Sequence, residues 1–383
     1  MLIPPRKVLI VGAGVSGVSA ATAFSRAGHD VTVMDVAGGP ATGVTSLGSG
    51  GFRRQFPEAE ETLLAAATLA GWERLEHDES ASFEFHRTGY LLLATGSNDL
   101  AALEQRAEHL RAAGIEHRLV DGDELRALAP GLSGEDLAGD DVGLFTPGDA
   151  YTSPPSVVRE LVRLASARGV RFRFETRVLD ITTAGDEVRG AIVQPAAGGE
   201  REEIFADVIV NAAGLRVPEI GRLVGDELPV RAWRQHQFRT RDLPRGGPDD
   251  FPCIADAGES LYFRPDGAGA LVGYHDDAEA WAEDYTPTAL MAERCATALA
   301  RRWPALAEAG MERHWVGCYE VTPDWRALIG LSAEVRGSAY LGGFSGHGLM
   351  NSIGAAEELR RLVDGEDAQV DLRPFSAERF APA

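Results

Sequence analysis

The chain has 383 residues and a formal charge of −21, with acidic residues spread along its whole length. A surface this negative repels a phosphate backbone, which sets nucleic acid aside as a partner. No apolar run approaches the roughly 18 residues of a membrane span, and Cys253, Cys295 and Cys318 are too widely spaced for a disulfide framework or a metal site.

Lys7–Val11 is rich in β-branched residues and reads as a parallel strand buried on both faces. Residues 16–27 follow as a helix that Gly28 closes, and residues 30–36 as a second strand. Residues 41–56 are rich in Gly, Ser and Thr, residues 58–77 read as a helix, and residues 83–95 as a hairpin turning at Thr88-Gly89. A helix over 99–113 comes next, then one over 156–168, a strand over 170–175, a small sheet from 177–181 and 187–193, and a buried parallel strand at 207–212. Antiparallel strands are expected within 229–241 and 260–275, a helix over 287–302, strands at 315–321 and 339–342, and a last helix over 351–363. The fold class implied is α/β: a Rossmann-like domain interleaved with an antiparallel-sheet domain. The nucleotide-binding part takes residues 1–85, 145–225 and 325–383, and the substrate part 86–144 and 226–324.

Between the first strand and the first helix stands Gly12-Ala13-Gly14-Val15-Ser16-Gly17. Gly12 permits the tight turn, Gly14 admits a diphosphate, and Gly17 lets helix and strand pack closely. The diphosphate then meets the N–H groups of Val15 and Ser16 at the helix start. Asp35, at the end of the second strand, is placed to accept from ribose hydroxyls. These features define a dinucleotide site without separating NAD from FAD. Of the 37 basic residues only Lys7 is lysine, so chemistry that needs a catalytic lysine is nearly excluded.

The stretches TSLGSGGFRRQF (45–56), DVIVNAAG (207–214), LYFRPDGAGALVG (261–273), YEVTPDWRALIG (319–330) and GGFSGHG (342–348) resemble the D-amino-acid-oxidase-like FAD-dependent oxidoreductases. That group includes glycine oxidase, sarcosine oxidases and dimethylglycine dehydrogenases, and the resemblance runs from about Lys7 to Phe375. It implies FAD as cofactor, with Ser46, Gly48, Ser49, Gly50 and Gly51 along the flavin ring. It also implies Val178 at the adenine, and Ala212, Ala213 and Gly214 beneath the adenosine diphosphate. Gly343, Gly346, His347, Gly348, Leu349 and Met350 bring a helix N-terminus to the electron-rich edge of the reduced ring, where backbone donors stabilise negative charge. His347 either contacts flavin or substrate, or simply packs.

Arg53, His347, Tyr262 and His236 are the catalytic candidates, and Arg264, Tyr319 and Met350 the substrate-side ones. Arg264 offers a bidentate carboxylate clamp, or equally a structural arginine in its hairpin. Met350 and Leu271 stand where monomeric sarcosine oxidases carry lysines, and Gly317 where they carry the flavin-linked cysteine; Cys318, one residue on, points to the other face. Noncovalent FAD follows. The reaction implied is oxidation of the C–N bond of an amino acid or a secondary or N-methyl amine, by hydride transfer to flavin N5 to give an imine. Oxygen, a quinone or an acceptor protein would take the electrons. Oxidation of a 2-hydroxy acid on the same fold, or service as a flavoprotein subunit in a hetero-oligomeric dehydrogenase, are the alternatives. The N-terminus lacks a signal-peptide pattern, so a cytoplasmic location and a homo- or hetero-oligomer are expected.

Overall fold

The molecule is described by a computed structural model covering residues 4–79, 81–95, 97–133, 141–243, 251–277 and 279–381. A six-stranded sheet is built around Lys7–Val11, which pairs in parallel with Asp30–Met34 on one side and Val208–Asn211 on the other. Arg171–Arg173 extends it beyond Asp30–Met34, while Ser338–Gly342 and the antiparallel Leu328–Leu331 extend the opposite edge. The β-branched run at the start of the chain has a simple cause. Val8 and Ile10 pack against the helices Val15–Arg26, Pro154–Ala167 and Gly348–Asp364, while Leu9 and Val11 pack against a three-stranded sheet of Thr176–Ala184, Glu187–Pro195 and Glu202–Phe205. Both faces are buried, so neither alternates with polar residues.

The second layer is an eight-stranded sheet. Its order is Met311–Val321, Arg231–Thr240, Gly269–Tyr274, Leu261–Asp266, Cys253–Asp256, Tyr90–Thr95, Asp141–Thr146 and Arg118–Asp121. All neighbours are antiparallel except Cys253–Asp256 with Tyr90–Thr95. This pairing replaces the hairpin expected over 83–95. Residues before Tyr90 form no strand; Gly89 instead donates to Asp149 O and accepts from Cys253 N–H, so the backbone there ties two other segments together. The strands Arg118–Asp121, Asp141–Thr146, Cys253–Asp256 and Leu328–Leu331 carry no strong period of their own and escape the sequence reading.

The two sheets are joined through residues 45–56, and Gln55 is the joint. Its fully buried amide points Nε2 at Tyr90 O (3.0 Å), Leu144 O (2.9 Å) and Thr146 Oγ1 (2.8 Å). Next to it, Arg54 donates from both its backbone N–H and Nε to the buried Asp149. Exchanging Gln55 for Leu leaves two buried carbonyls without this donor, and is expected to cost about 1–3 kcal/mol of stability in chemical denaturation.

Candidate active site

A cavity of about 360 Å³ lies between the carboxyl ends of the parallel strands and the second sheet. Its floor is the glycine loop: Gly12, Gly14, Val15 and Ser16 all line it. Gly12 has φ +109°, and a Cβ there would come 2.3 Å from Ala212 O. Gly17 lies behind the cavity, packed so closely on Gly12 O that a Cβ would stand 1.9 Å away. Asp35 closes one end. Its carboxylate accepts from Ala13 N–H (2.7 Å) and Ala37 N–H (2.8 Å), which holds the loop while its other lone pairs face the cavity.

Two helices end at this cavity, and neither is capped by its own side chains. Val15–Arg26 begins after Gly14, and Gly348–Asp364 after His347; neither has an acidic residue in its first turn. The Val15 N–H donates to Thr45 Oγ1 at 3.3 Å; the remaining first-turn N–H groups and the positive end of a dipole at two points suit an anionic, elongated ligand. Of the three donors expected at the second helix, the Met350 N–H is spent on His347 O (3.0 Å), leaving Gly348 and Leu349. The loop Gly48–Gly51 forms a third wall. Gly50 has φ +79°, and an added Cβ would stand 1.8 Å from Thr152 O. Ala212, Ala213, Gly214, Gly346 and Met350 complete the predicted set that lines the cavity.

Ser46, Gly343, His347 and Val178 do not line it. Ser46 folds back to Gly43 O, Gly343 forms the turn beneath Thr322, and Val178 pairs with Val193 in the three-stranded sheet.

The ring end of the cavity faces one side of the second sheet. Register puts Tyr319, Trp233 and Gly317 on that side, together with Gly273, Tyr262 and Arg264. The hydroxyls of Tyr262 and Tyr319 meet at 3.5 Å. Burial raises both phenols above their ordinary value, so both are neutral donors. The Arg53 guanidinium acts electrostatically on Tyr319 and on the buried Tyr90. Arg53 itself lies over the Phe56 ring at 4.4 Å, donates from Nη1 to the Gln55 carbonyl and reaches His347 Nε2 at 3.1 Å through Nη2. His347 Nε2 is therefore the acceptor, and the ring proton sits on the buried Nδ1, which has no partner. Arg106 Nη1 is likewise buried without a partner.

Two candidates are corrected. His236 is on the far side of the sheet, bonded to Glu279 (2.7 Å) and His314 (2.9 Å), because alternation turns it away from its neighbours Gln235 and Gln237. Arg264 is a strut: Nε donates to Ser49 O (2.6 Å) and Nη1 to Pro265 O (2.7 Å). It fixes the loop that would cover the ring and is not free to clamp a carboxylate. Cys318 is buried on the face opposite Tyr319, and a Cβ added at Gly317 would stand 3.3 Å from Leu47 Cβ. Tyr90, Glu320 and Arg106 were missed. Only Glu320 carried a signal, as an acid within the apolar strand end VGCYEV.

A glycine loop, an acid at the second strand and two helix N-termini define a dinucleotide-binding protein. Residues 7–362 match the family described as FAD dependent oxidoreductase (DAO), and the chain belongs to that family, with FAD as its cofactor. It is 26% identical over 409 residues to an FAD-dependent oxidoreductase domain-containing protein 1 homolog of Drosophila melanogaster, covering 97% of this chain and 78% of the relative. It is 25% identical over 335 residues to the mitochondrial sarcosine dehydrogenase of Homo sapiens, covering 84% of this chain but 36% of that longer protein. Among solved structures, L-proline dehydrogenase from P. horikoshii shares the fold with a TM-score of 0.89 at 21% identity, over 99% of this chain and 98% of that one.

Alanine at Gly50 is expected to push the loop off Thr152 and to yield protein with less than about a tenth of its flavin, read as the flavin-to-protein absorbance ratio. A second expectation concerns acid. Burial, then Arg53 and Arg106, holds His347 well below the ordinary imidazole value. At this residue the folded state therefore binds fewer protons than the unfolded one, and its contribution to stability is lost as pH falls below about 6.5. The raised carboxyls of Glu61, Asp149 and Glu320 act the other way. His347→Gln should flatten that acid limb of the melting curve in part, since His236, His275 and His314 are lowered as well.

Proposed function

We propose that the protein oxidises the C–N bond of a secondary or N-methyl amine, or of an amino acid, carrying a carboxylate. The observation that carries this reading is a wall of neutral hydroxyls beside one guanidinium, with the candidate imidazole bases engaged elsewhere. His347 accepts from Arg53, and His236 is bound on the far side of the sheet. Removing a proton from an alcohol requires a base, whereas a neutral amine brings its own lone pair and needs none. This favours an amine over a 2-hydroxy acid. The two similar proteins named for sarcosine and proline, both secondary amines, support the same choice.

FAD, when bound, supplies a two-electron acceptor that takes hydride from a C–H bond next to nitrogen. The residues described here fit it through the two helix N-termini, the Gly12 turn and the Asp35 carboxylate. In this reading Arg53 attracts the substrate carboxylate, and Tyr262 and Tyr319 donate to it, fixing the reacting carbon against the ring end of the cavity. Tyr262 is held flat over Gly273, where a Cβ would stand 1.8 Å from its ring, so its hydroxyl has a fixed position. Backbone N–H groups of Gly348 and Leu349 would oppose negative charge accumulating at the ring.

Anaerobic titration of the yellow holoprotein with N-methyl amino acids, amino acids and 2-hydroxy acids tests the reading. Bleaching of the flavin band is expected with the amines; bleaching with the hydroxy acids alone overturns it. Arg53→Met should lower kcat/KM by about two to three orders of magnitude, roughly 3–4 kcal/mol, chiefly through KM.

A further inference from the structure

The cofactor cavity contains a carboxyl group that the proposed chemistry does not use. Glu320 follows Tyr319 in the strand Met311–Val321, so its side chain leaves by the opposite face and reaches the cavity wall beside Gly214. It is 8% exposed. The Phe344 N–H donates to Oε1 at 3.4 Å, the Gly343 N–H also bonds the carboxyl, and the Ser345 N–H donates to the Glu320 carbonyl at 2.9 Å. Oε2 is different. It is buried, has no hydrogen-bond partner, and lies towards Gly214, where an added Cβ would come within 3.5 Å of it.

A buried carboxyl with one oxygen satisfied by N–H donors and the other bare keeps its proton on the bare oxygen. The bare oxygen is then an O–H donor within the cavity wall, next to Gly214. FAD brings a doubly charged diphosphate and a chain of hydroxyl oxygens into that cavity. A carboxylate there would repel the phosphates; a neutral acid offers them, or a neighbouring hydroxyl, a hydrogen bond. We propose that Glu320 belongs to the FAD site and engages the cofactor as the neutral acid, donating from Oε2 to an oxygen of the ribityl diphosphate chain, so that holding FAD and holding this proton are one event.

Burial raises the carboxyl to about 7 even against the opposing N–H bonds, so its protonation changes where the protein can be assayed. The other titratable groups of the wall are placed differently. Asp35 is bonded to Ala13 and Ala37, Glu283 is paired with Arg216 at 2.7 Å, and Tyr285 and Cys318 are both raised by burial. Arg234, on the neighbouring strand and the same face, is paired with Glu279 at 3.0 Å.

The test needs no substrate, so it stands or falls apart from the amine reading. Holoprotein is diluted at a series of pH values and the FAD dissociation constant is read from recovered flavin fluorescence. For the wild type the constant is expected to rise towards about tenfold per pH unit above the Glu320 midpoint. Glu320→Gln keeps a neutral donor in place and is expected to remove that slope while holding FAD within about threefold of the wild type at low pH. Glu320→Ala should weaken binding at every pH without a slope. Titration calorimetry of FAD into flavin-depleted protein, in two buffers of different ionisation enthalpy at about pH 8, should show close to one proton taken up by the wild type and none by Glu320→Gln. Equal slopes for the wild type and Glu320→Gln, or proton release by the wild type, would overturn the proposal. Melting curves of the flavin-depleted variants separate a binding defect from misfolding.

Discussion

The molecule depends on one buried amide. Residues 45–56 must leave the nucleotide-binding sheet, pass along the cavity and end against the second sheet, where water is excluded. Backbone groups in such a passage need partners from somewhere. Gln55 ties the end of the passage to the second sheet, its side-chain amide donating to Tyr90 O and Leu144 O on adjacent strands. With that point fixed, Arg53 just before it is aimed at His347, and Arg54 is anchored on Asp149. The walls of the site are thus tied together by side chains, Gln55 with Arg54 and Arg264 beside it, rather than by a continuous sheet.

Electrostatics then divide the cavity. At the diphosphate end the protein offers partial positive charge from helix ends and backbone, which costs no side-chain desolvation. At the substrate end it places full charges, but pairs or stacks each against something: Arg53 over Phe56, Arg264 over Tyr151 at 4.7 Å. Buried guanidinium groups stacked on rings keep part of their solvation in another form.

The sequence was legible where the signal is local. Gly12, Gly14, Gly17 and Asp35 sit within one strand–helix–strand unit, so spacing alone places them, and Asp35 lies where the pattern requires. The long amphipathic or apolar helices were visible for the same reason. What failed was register and partner choice. Nothing in residues 83–95 says that Tyr90–Thr95 will pair in parallel with a segment near residue 253. Likewise WRQHQF alternates correctly whichever face looks at the cavity, and the pairing of His236 with Val316 decides it. Arg264 was ambiguous in sequence because its partner, Ser49 O, lies far away in the chain.

The order of strands has a consequence for biosynthesis. Lys7–Val11 is made well before the edge strand Leu328–Leu331, its neighbour Ser338–Gly342 and the helix Gly348–Asp364, which completes the cavity. At about 5–20 residues per second the ribosome takes on the order of 15–60 s to supply them. Through that interval the glycine loop exists without its second wall, and the apolar face of Val15–Arg26 waits for the helix that will cover it. The flavin can therefore be captured in full only once Gly348–Asp364 has been made.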